Sequence, residues 1–246
     1  MRVSIVSAVY NEKNITDTVN HWIDYFIHCK EVSAFEIILC DDCSDINYFR
    51  NLKKYTEQTQ FVSLLRNKAN EGPGYSFSRC FRSVNYEFTL ITDSDGQFPI
   101  HNFDQILNAY KKQKSHDIVI FTHRNIKHDN KVNVFGQKAS NFLCNYIYKS
   151  KLNDFTCAFK FVSTKHLQNT CFDAKYMNYS LDHTAKLIET QTEYRDIPII
   201  CEENEAPKRG IKKEFTRAFD RLLYIYYLWY RKYLLNKRVL FHHNNE

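Results

Sequence analysis

The chain has 246 residues, 43% hydrophobic and 25% charged, which is the balance of a globular protein and leaves room for one large domain or two small ones. Only five glycines and four prolines occur, so no Gly- or Pro-rich linker divides the chain. The formal net charge of +6 favours anionic partners such as a nucleotide, a phospholipid or a nucleic acid.

No stretch reaches the roughly 18 consecutive apolar residues that a membrane-spanning helix needs. Met1 and Arg2 lead directly into a strand-like run, which predicts that the chain has no signal peptide. The eight cysteines are scattered along the sequence, so we expect reduced thiols in a cytoplasmic protein.

Apolar runs alternate with amphipathic stretches through the first half of the chain. Strands are predicted at 3–9, 35–40, 61–65, 87–92 and 117–122, with helices at about 15–30, 46–57, 74–84 and 102–113. This βαβα order predicts an α/β fold in which a mostly parallel sheet carries helices on both faces.

The second half is less regular. Helical spacing over 131–149 predicts a helix whose buried stripe is Phe135, Phe142, Leu143, Tyr146 and Ile147. Further elements are predicted as a strand at 155–162, a helix at 181–190, a short strand at 197–200 and a long helix or helix pair at about 212–240.

The stretch from Thr89 to Pro99 is the most informative part of the sequence. Its apolar strand ends in Asp93-Ser94-Asp95, and Gly96-Gln97-Phe98-Pro99 follows. In open α/β sheets the ligand crevice lies at the carboxyl ends of the strands. Carboxylates at that place suit Mg²⁺ or Mn²⁺, which are often held together with substrate phosphates. Asp-x-Asp alone also fits a solvated acidic turn, so the surrounding motifs decide its meaning.

Four blocks in this order resemble family 2 glycosyltransferases of the GT-A (Rossmann-like) fold, and among them the polyprenyl-phosphate, dolichol-phosphate mannose synthase-like branch. They are Val9 to Glu12, Leu39 to Asp45, Arg66 to Gly74 and Asp93 to Pro99. The resemblance covers about residues 1–213. It implies a GT-A domain over 1–213, with a nucleotide-sugar half (1–125) and an acceptor half (126–213), and a C-terminal amphipathic helical segment over 214–246.

The resemblance implies a donor site at the strand ends. Asp93, Asp95 and Gln97 would hold Mg²⁺ or Mn²⁺, which bridges the diphosphate and neutralises the leaving nucleotide, so that Asp95 also counts as catalytic. Asp41 or Asp42 would accept an N–H of uracil or guanine, while a helix N-cap is the structural alternative for this pair. The implied nucleotide-binding residues are Ala8, Tyr10, Glu12, Asp41, Asp42, Arg66, Asp93 and Ser94.

The acceptor half matches the family less closely. Asp154 to Lys160 resembles the family's Asp-x-Thr-Ser-Gly-Phe-Arg, with Lys160 in place of the arginine. Asp182 would be the catalytic base in transfer to a hydroxyl, whereas a phosphate acceptor needs no strong base and Asp182 would then orient or stay structural. His183 is the rival base. Acceptor or phosphate contacts are implied for His123, Arg124, Lys138, Ser140, Lys208, Arg209 and Lys212.

One position in the acceptor half stays open. The family's Gly-Ser-Arg at the end of the fifth strand reads Phe121-Thr122-His123-Arg124 here, and alignment leaves open whether His123 or Arg124 replaces the arginine.

The segment 215–235 is aromatic, apolar and basic. Tyr and Trp beside Lys and Arg favour the headgroup region of a bilayer, so we predict an interfacial helix that holds the protein peripherally at the inner face of the cytoplasmic membrane. A helix packed on the domain or in a homodimer is the alternative.

We therefore predict a metal-dependent glycosyltransferase of cell-envelope polysaccharide synthesis. It would move a sugar from a UDP- or GDP-sugar to a polyprenyl phosphate or to a hydroxyl of a lipid-linked glycan, with inversion. The alternatives are a non-catalytic nucleotide-sugar-binding scaffold and a nucleotidyltransferase, although residues 7–12 lack the glycine that the latter requires. No nucleic-acid-binding motif appears in the sequence.

Overall fold

The computed structural model describes residues 1–113, 115, 117–124, 131–176, 178–190, 193–202 and 211–235, without the side chains of 131–133, 135 and 211–215. The strands are β1 (Arg2–Val9), β2 (Ala34–Asp41), β3 (Val62–Arg66), β4 (Phe88–Ile91), β5 (Ile118–Arg124), β6 (Lys160–Ser163) and β7 (Glu193–Ile199). The helices are α1 (Ile15–His28), α2 (Ile46–Gln58), α3 (Pro73–Ser83), α4 (Phe103–Lys111), α5 (Lys131–Tyr148), α6 (Thr164–Gln168), α7 (Tyr179–Glu189) and α8 (Ile211–Tyr233).

The strands form one sheet in the order β3-β2-β1-β4-β6-β5-β7. β1 pairs in parallel with β2 on one side and with β4 on the other. The chain therefore leaves β1 towards one side of the sheet and later returns on the other, which makes the carboxyl end of β1 a topological switch point where ligands of α/β proteins bind. The predicted mostly parallel α/β fold of GT-A type is confirmed, with β6 as the antiparallel exception.

Two element boundaries matter for the site. β5 extends to Arg124, so His123 and Arg124 lie in the strand instead of after it. The strand predicted at 155–162 is short, because only Lys160–Ser163 pairs with β4 and β5.

The two faces of the sheet bury separate apolar layers, because alternate strand residues point to opposite sides. Ile5 packs on the face covered by α1 and α4, with Trp22 and Phe103. Val6 packs on the other face, with Phe77 of α3 and Leu181 of α7. The second layer fixes α3 and α7, the two helices that flank the carboxyl end of β1.

The buried stripe predicted for α5 is wrong in most of its members. Phe142 and Tyr146 are 72% and 78% exposed, Leu143 is also exposed, and only Ile147 is buried; the side chain of Phe135 lies outside the described residues. The inward face instead carries Asn141, which accepts the N–H of Phe155 at 3.1 Å and donates to the carbonyl of Asn153. The backbone after α5 needs these partners, so Asn141 shares the inner face with buried side chains such as Cys144 and Ile147.

α8 starts at Ile211, so the domain boundary predicted at 213 falls in its first turn, and the division of the chain stays a prediction. Ile225 and Leu228 of α8 belong to the second apolar layer. Among the described residues, no helix combines the length and the apolar character that crossing a membrane requires.

The close approach of α3 to the loop before α7 gives a first prediction. A Cβ added at Gly74 would lie 1.8 Å from the carbonyl oxygen of Ala174, whereas one added at Gly136 in α5 meets no atom within 4 Å. Gly74→Ala should therefore lower the free energy of unfolding by about 1–3 kcal/mol through overpacking. Urea denaturation measures this change.

The control is Gly136→Ala, which should leave stability unchanged or raise it by roughly 0.5–1 kcal/mol, because alanine is the better helix former. Equal stability of Gly74→Ala and the wild type would contradict the close packing of α3 on residue 174.

Candidate active site

A cavity of about 390 Å³ opens at the carboxyl ends of β1 and β4. It brings together predicted site residues from three separate turns of the chain: Ala8, Tyr10, Glu12, Asp42, Asp93, Ser94 and Asp95. It also contains residues to which the motifs gave no role: Val9, Pro73, Phe77 and Tyr179.

Asp93 and Asp95 are the chemical centre of this cavity. Burial, together with the negative charge of Asp95, raises the pKa of Asp93 to about 6. The rise means that the two carboxylates repel each other and that their surroundings lack enough positive charge to offset this repulsion and the burial. A divalent cation between them would supply that charge.

The donor set fits such a cation. Carboxylate oxygens are hard ligands of the kind that Mg²⁺ and Mn²⁺ prefer. In the part of the chain that the structure describes, no three His, Cys, Asp or Glu side chains form a complete metal cage. An ion held by Asp93 and Asp95 would therefore take its remaining ligands from water and from the oxygens of a bound phosphate.

Neighbouring groups fix both carboxylates. The hydroxyl of Tyr179 donates to Oδ1 of Asp93 at 2.5 Å, and its ring stacks on Phe77 with centroids 5.2 Å apart. The backbone N–H of Gln97 donates to Oδ1 of Asp95 at 3.0 Å. Gln97, predicted as a metal ligand through its side chain, is not among the cavity-lining residues, and the contact that the structure shows for it is made by its backbone.

Two buried cations lie behind Asp93, and both lower its pKa. Lys160 donates from Nζ to Oγ of Ser180 at 2.7 Å and to the carbonyl of Cys157. Burial lowers the pKa of Lys160 to about 8. Arg124 pairs with Asp154 at 2.8 Å and donates to the Thr156 hydroxyl at 2.9 Å.

These contacts favour Arg124 over His123 as the residue in place of the family's arginine. Successive residues of β5 point to opposite faces. Arg124 acts electrostatically on Asp93, whereas His123 turns to β7 and lies 2.8 Å from Oδ1 of Asp196.

The pair Asp41 and Asp42 ends β2 beside the cavity. Asp42 is held by three N–H groups, those of the Asn67 side chain at 2.7 Å, Glu71 at 2.9 Å and Gly72 at 2.8 Å, which fix the loop entering α3. Asp41 is fully buried, and its carboxylate lies 3.6 Å from Nε of Arg66, the partner residue on β3. Asp41 and Arg66 do not line the cavity, and neither aspartate is the N-cap of α2, which is Asp45.

The turn after β1 is pinned to the turn after β2. Asn11 adopts a left-handed conformation with φ of 51°, which asparagine tolerates better than most residues. Its N–H donates to the hydroxyl of Ser44 at 2.9 Å, and its side-chain oxygen accepts the N–H of Asp45 at 3.0 Å. This double contact sets Tyr10 and Glu12 on either side of Asn11 at the mouth of the cavity.

The predicted base Asp182 lies outside the cavity. Its side chain is fully buried, accepts the N–H groups of Asp173 at 2.7 Å and Ala174 at 3.1 Å, and lies 3.0 Å from Nζ of Lys186. This position argues against the prediction that Asp182 acts as base and supports the structural alternative, in which it holds the loop that packs on Gly74.

His183 is also unsuited to act as base. It is fully buried between aromatic rings, among them Phe172 with centroids 4.6 Å apart. Within the described residues neither ring nitrogen has a hydrogen-bond partner, and burial lowers the pKa of His183 well below its usual value. A proton acceptor needs access to the substrate, which this ring lacks.

The remaining acceptor-side predictions do not converge on the cavity. Ser140 is buried and donates to the Gly136 carbonyl within α5, and Lys138 is exposed on the same helix. Lys208 and Arg209, and the side chain of Lys212, lie outside the described residues.

The buried ion pair gives a second prediction. Asp182→Asn should lower the free energy of unfolding by about 3 kcal/mol or more, because it leaves Lys186 buried with half of its carboxylate partners. Urea denaturation measures this, with Asp24→Asn, whose side chain is 80% exposed, as the matched control. A fully stable Asp182→Asn protein that has lost all transferase activity would instead support the base assignment.

The Tyr179 contact gives a third prediction. Tyr179→Phe should weaken Mn²⁺ binding on the order of tenfold, because residues that orient metal ligands commonly contribute that much to affinity. The loss of free Mn²⁺ signal in electron paramagnetic resonance measures the affinity. Tyr146→Phe, at a hydroxyl that is far more exposed, should bind Mn²⁺ as the wild type does, and equal affinity in both variants would show that Tyr179 does not orient Asp93.

A model of a known protein family matches more than half of the chain. The family model described as "Glycosyl transferase family 2" matches residues 4–170. No curated protein sequence matches the chain significantly.

Solved structures share the fold. The UDP complex of glucosyl-3-phosphoglycerate synthase from Mycobacterium tuberculosis has a TM-score of 0.64 and 12% identity, covering 93% of this chain and 80% of that one. The complex of the same synthase with Mn²⁺, UDP-glucose and phosphoglyceric acid has the same TM-score and identity, covering 93% and 79%.

The mannosyltransferase PcManGT from Pyrobaculum calidifontis, with GDP-mannose and Mn²⁺, has a TM-score of 0.58 and 18% identity, covering 96% of this chain and 70% of that one. At these identities the likeness shows the fold. Because the family model spans more than half of the sequence, the chain belongs to glycosyl transferase family 2 and is a glycosyltransferase.

Proposed function

We propose that this glycosyltransferase takes its sugar from a UDP- or GDP-sugar, with Mg²⁺ or Mn²⁺ held by Asp93 and Asp95, and transfers it to a lipid-linked acceptor. The observation that carries the donor half is the pair of carboxylates at the end of β4, which lies in a cavity at the switch point, where burial and the negative charge of Asp95 raise the pKa of Asp93. The nucleotidyltransferase and scaffold alternatives give way to the family assignment.

The named neighbours support the donor class. The Mycobacterium tuberculosis synthase was solved with Mn²⁺ and UDP-glucose, and the Pyrobaculum calidifontis enzyme with Mn²⁺ and GDP-mannose. Both UDP and GDP therefore stay open for this chain. The diphosphate would meet the ion at Asp93 and Asp95, and the base would lie towards the ends of β2 and β3, where Asp41 and Arg66 pair.

When bound, the ion supplies positive charge that stabilises the departing nucleotide diphosphate. The chain's own residues prepare the site for it. Tyr179 orients Asp93, the Gln97 amide orients Asp95, and Lys160 and Arg124 add positive charge from behind. Because these groups are packed before substrate arrives, little reorganisation is needed during the reaction.

The roles of the carboxylates that line the cavity help to distinguish a phosphate acceptor from a hydroxyl acceptor. Among the described residues these are Glu12, Asp42, Asp93 and Asp95. Asp42 is occupied by three N–H groups. In our proposal Asp93 and Asp95 hold the ion and Glu12 contacts the nucleotide. With Asp182 buried in its ion pair, no free base is evident in this part of the chain. An acceptor whose nucleophile is already an anion needs none, which favours a polyprenyl phosphate over a glycan hydroxyl.

Three finer predictions stay proposals. The dolichol-phosphate mannose synthase-like branch rests on a polyprenyl-phosphate acceptor, inversion in one displacement rests on the family resemblance, and a peripheral place at a membrane rests on the helix α8.

The fourth prediction concerns the donor. In a thermal-shift screen of UDP- and GDP-sugars with Mn²⁺ or Mg²⁺, one nucleotide should stabilise the protein only when the metal is present. At a ligand concentration of about 100 Kd the gain is about 2.7 kcal/mol, which such a screen resolves. Asp95→Asn should abolish the shift.

Asp24→Asn provides the matched control, because it removes the same charge from an exposed position on α1. It should retain the full shift. No stabilisation of the wild type by any nucleotide sugar, or the same shift without metal, would contradict the proposed donor site.

A further inference from the structure

The outward face of α8 is apolar and aromatic. Six large side chains recur on it at helical spacing and are between 36% and 61% exposed. We call them the α8 stripe: Phe219, Leu222, Tyr226, Trp229, Tyr230 and Tyr233. Soluble monomers rarely expose a contiguous apolar patch of this kind unless it binds something.

Among the described side chains of α8, the following charges lie off this stripe. Arg231 is 3% exposed and pairs with Glu189 at 2.6 Å, and Lys232 lies over the Tyr148 ring at 4.4 Å. Helical spacing also puts Arg221 and Asp220 outside the arc that the stripe covers. An ordinary surface helix has the reverse arrangement, with its apolar stripe inward and its charges outward. The stripe therefore differs from the polar face that an ordinary surface helix turns to solvent.

α5 adds two exposed aromatic side chains beside the stripe. Phe142 and Tyr146, four residues apart, are 72% and 78% exposed. The carbonyl of Ile147, the residue after Tyr146, accepts the Tyr233 hydroxyl at 2.9 Å, so this pair borders the C-terminal end of the stripe.

We infer that the α8 stripe binds the headgroup region of an anionic lipid bilayer, with α8 lying in the plane of the interface. Tyr and Trp, with an apolar ring and a polar tip, are the side chains that this region favours. α8 cannot cross the bilayer, since no described helix is long and apolar enough. A helix with such a face lies on the membrane.

Charge decides between a bilayer and a second copy of the chain. Residues 208–238 contain ten Lys and Arg against two acids, and nine of these cations remain when Arg231, buried in its pair with Glu189, is set aside. Anionic lipids attract such a segment, with about 1 kcal/mol for each basic residue near the surface. A symmetric dimer would instead bring two copies of this basic segment together, and like charges repel.

The inner side of α8 connects this surface to the active site. The Tyr227 hydroxyl donates to Asp173 at 2.8 Å, and Arg231 pairs with Glu189 at the end of α7. α7 in turn carries Tyr179 to Asp93. A bilayer on the stripe would thus lie next to the helix that shapes the cavity. The surface itself is independent of the acceptor's identity.

Flotation with phosphatidylcholine vesicles, with and without phosphatidylglycerol, tests the inference on the full chain. The wild type should float with the anionic vesicles and less so at high salt. Tyr226→Ser/Trp229→Ser should weaken this binding on the order of tenfold, because two interfacial anchors are lost. The control Ile27→Ser/Ile46→Ser removes side chains of similar exposure, 57% and 53%, from other helices and should float as the wild type does.

A second measurement uses the unaltered protein, so a variant that fails to fold leaves the test intact. The chain has two tryptophans, and Trp22 is buried at 2% exposure, so quenching by brominated acyl chains reports on Trp229. We expect quenching with anionic vesicles. Three results would each overturn the inference. They are an unquenched Trp229, a stripe variant that floats like the wild type, and a wild-type dimer that binds no vesicles and that the stripe substitutions dissociate. The nucleotide-dependent thermal shift should persist in the stripe variant, which separates this surface from the donor site.

Discussion

The burial of two neighbouring carboxylates, Asp93 and Asp95, is the constraint on which the site depends. Two carboxylates at the end of a buried strand raise the free energy of the protein unless positive charge lies close by. The chain supplies part of that charge from behind, through Lys160 and Arg124, and the proposed cation and diphosphate would supply the rest from the open side. The elements around the cavity serve this arrangement. β4 delivers the pair, α7 brings the hydroxyl that orients Asp93, and α3 supplies the ring beneath that hydroxyl.

A second polar network fixes α7 itself. Asp182, Lys186 and Asp173 form a largely buried cluster that ties α7 to the loop before it, and Tyr227 and Arg231 tie α8 to the same region. Gly74 lets α3 approach that loop closely enough for its N–H to donate to the Lys175 carbonyl at 2.7 Å. The acid that family resemblance assigns to proton transfer thus supports the wall of the site. This role suits an acceptor that arrives already ionised.

The sequence predicts the meeting of residues at strand ends better than the orientation of residues on helices, for a physical reason. Donor residues follow strand ends, and the βα alternation alone brings the ends of parallel strands to one edge, so Tyr10, Asp42 and Asp93 meet as expected. Acceptor residues lie on helices, where the motif does not reveal which face turns inward. In Tyr179 to His183 the motif pointed to Asp182, while the residue that reaches the cavity is Tyr179, three positions earlier. In α5 the apolar residues look like a core stripe, but the backbone after the helix takes Asn141 and Asn145 as partners, and the aromatic face turns outward.

A titration of Mn²⁺ followed by electron paramagnetic resonance, with and without UDP or GDP, tests the metal-bridged donor site most directly. We expect one nucleotide to tighten Mn²⁺ binding to the wild type, and this coupling to vanish in Asp93→Asn/Asp95→Asn, since the ion would bridge the carboxylates and the diphosphate. Nucleotide binding of equal strength without Mn²⁺, or coupling that survives in the double variant, would contradict a donor site built on these two aspartates.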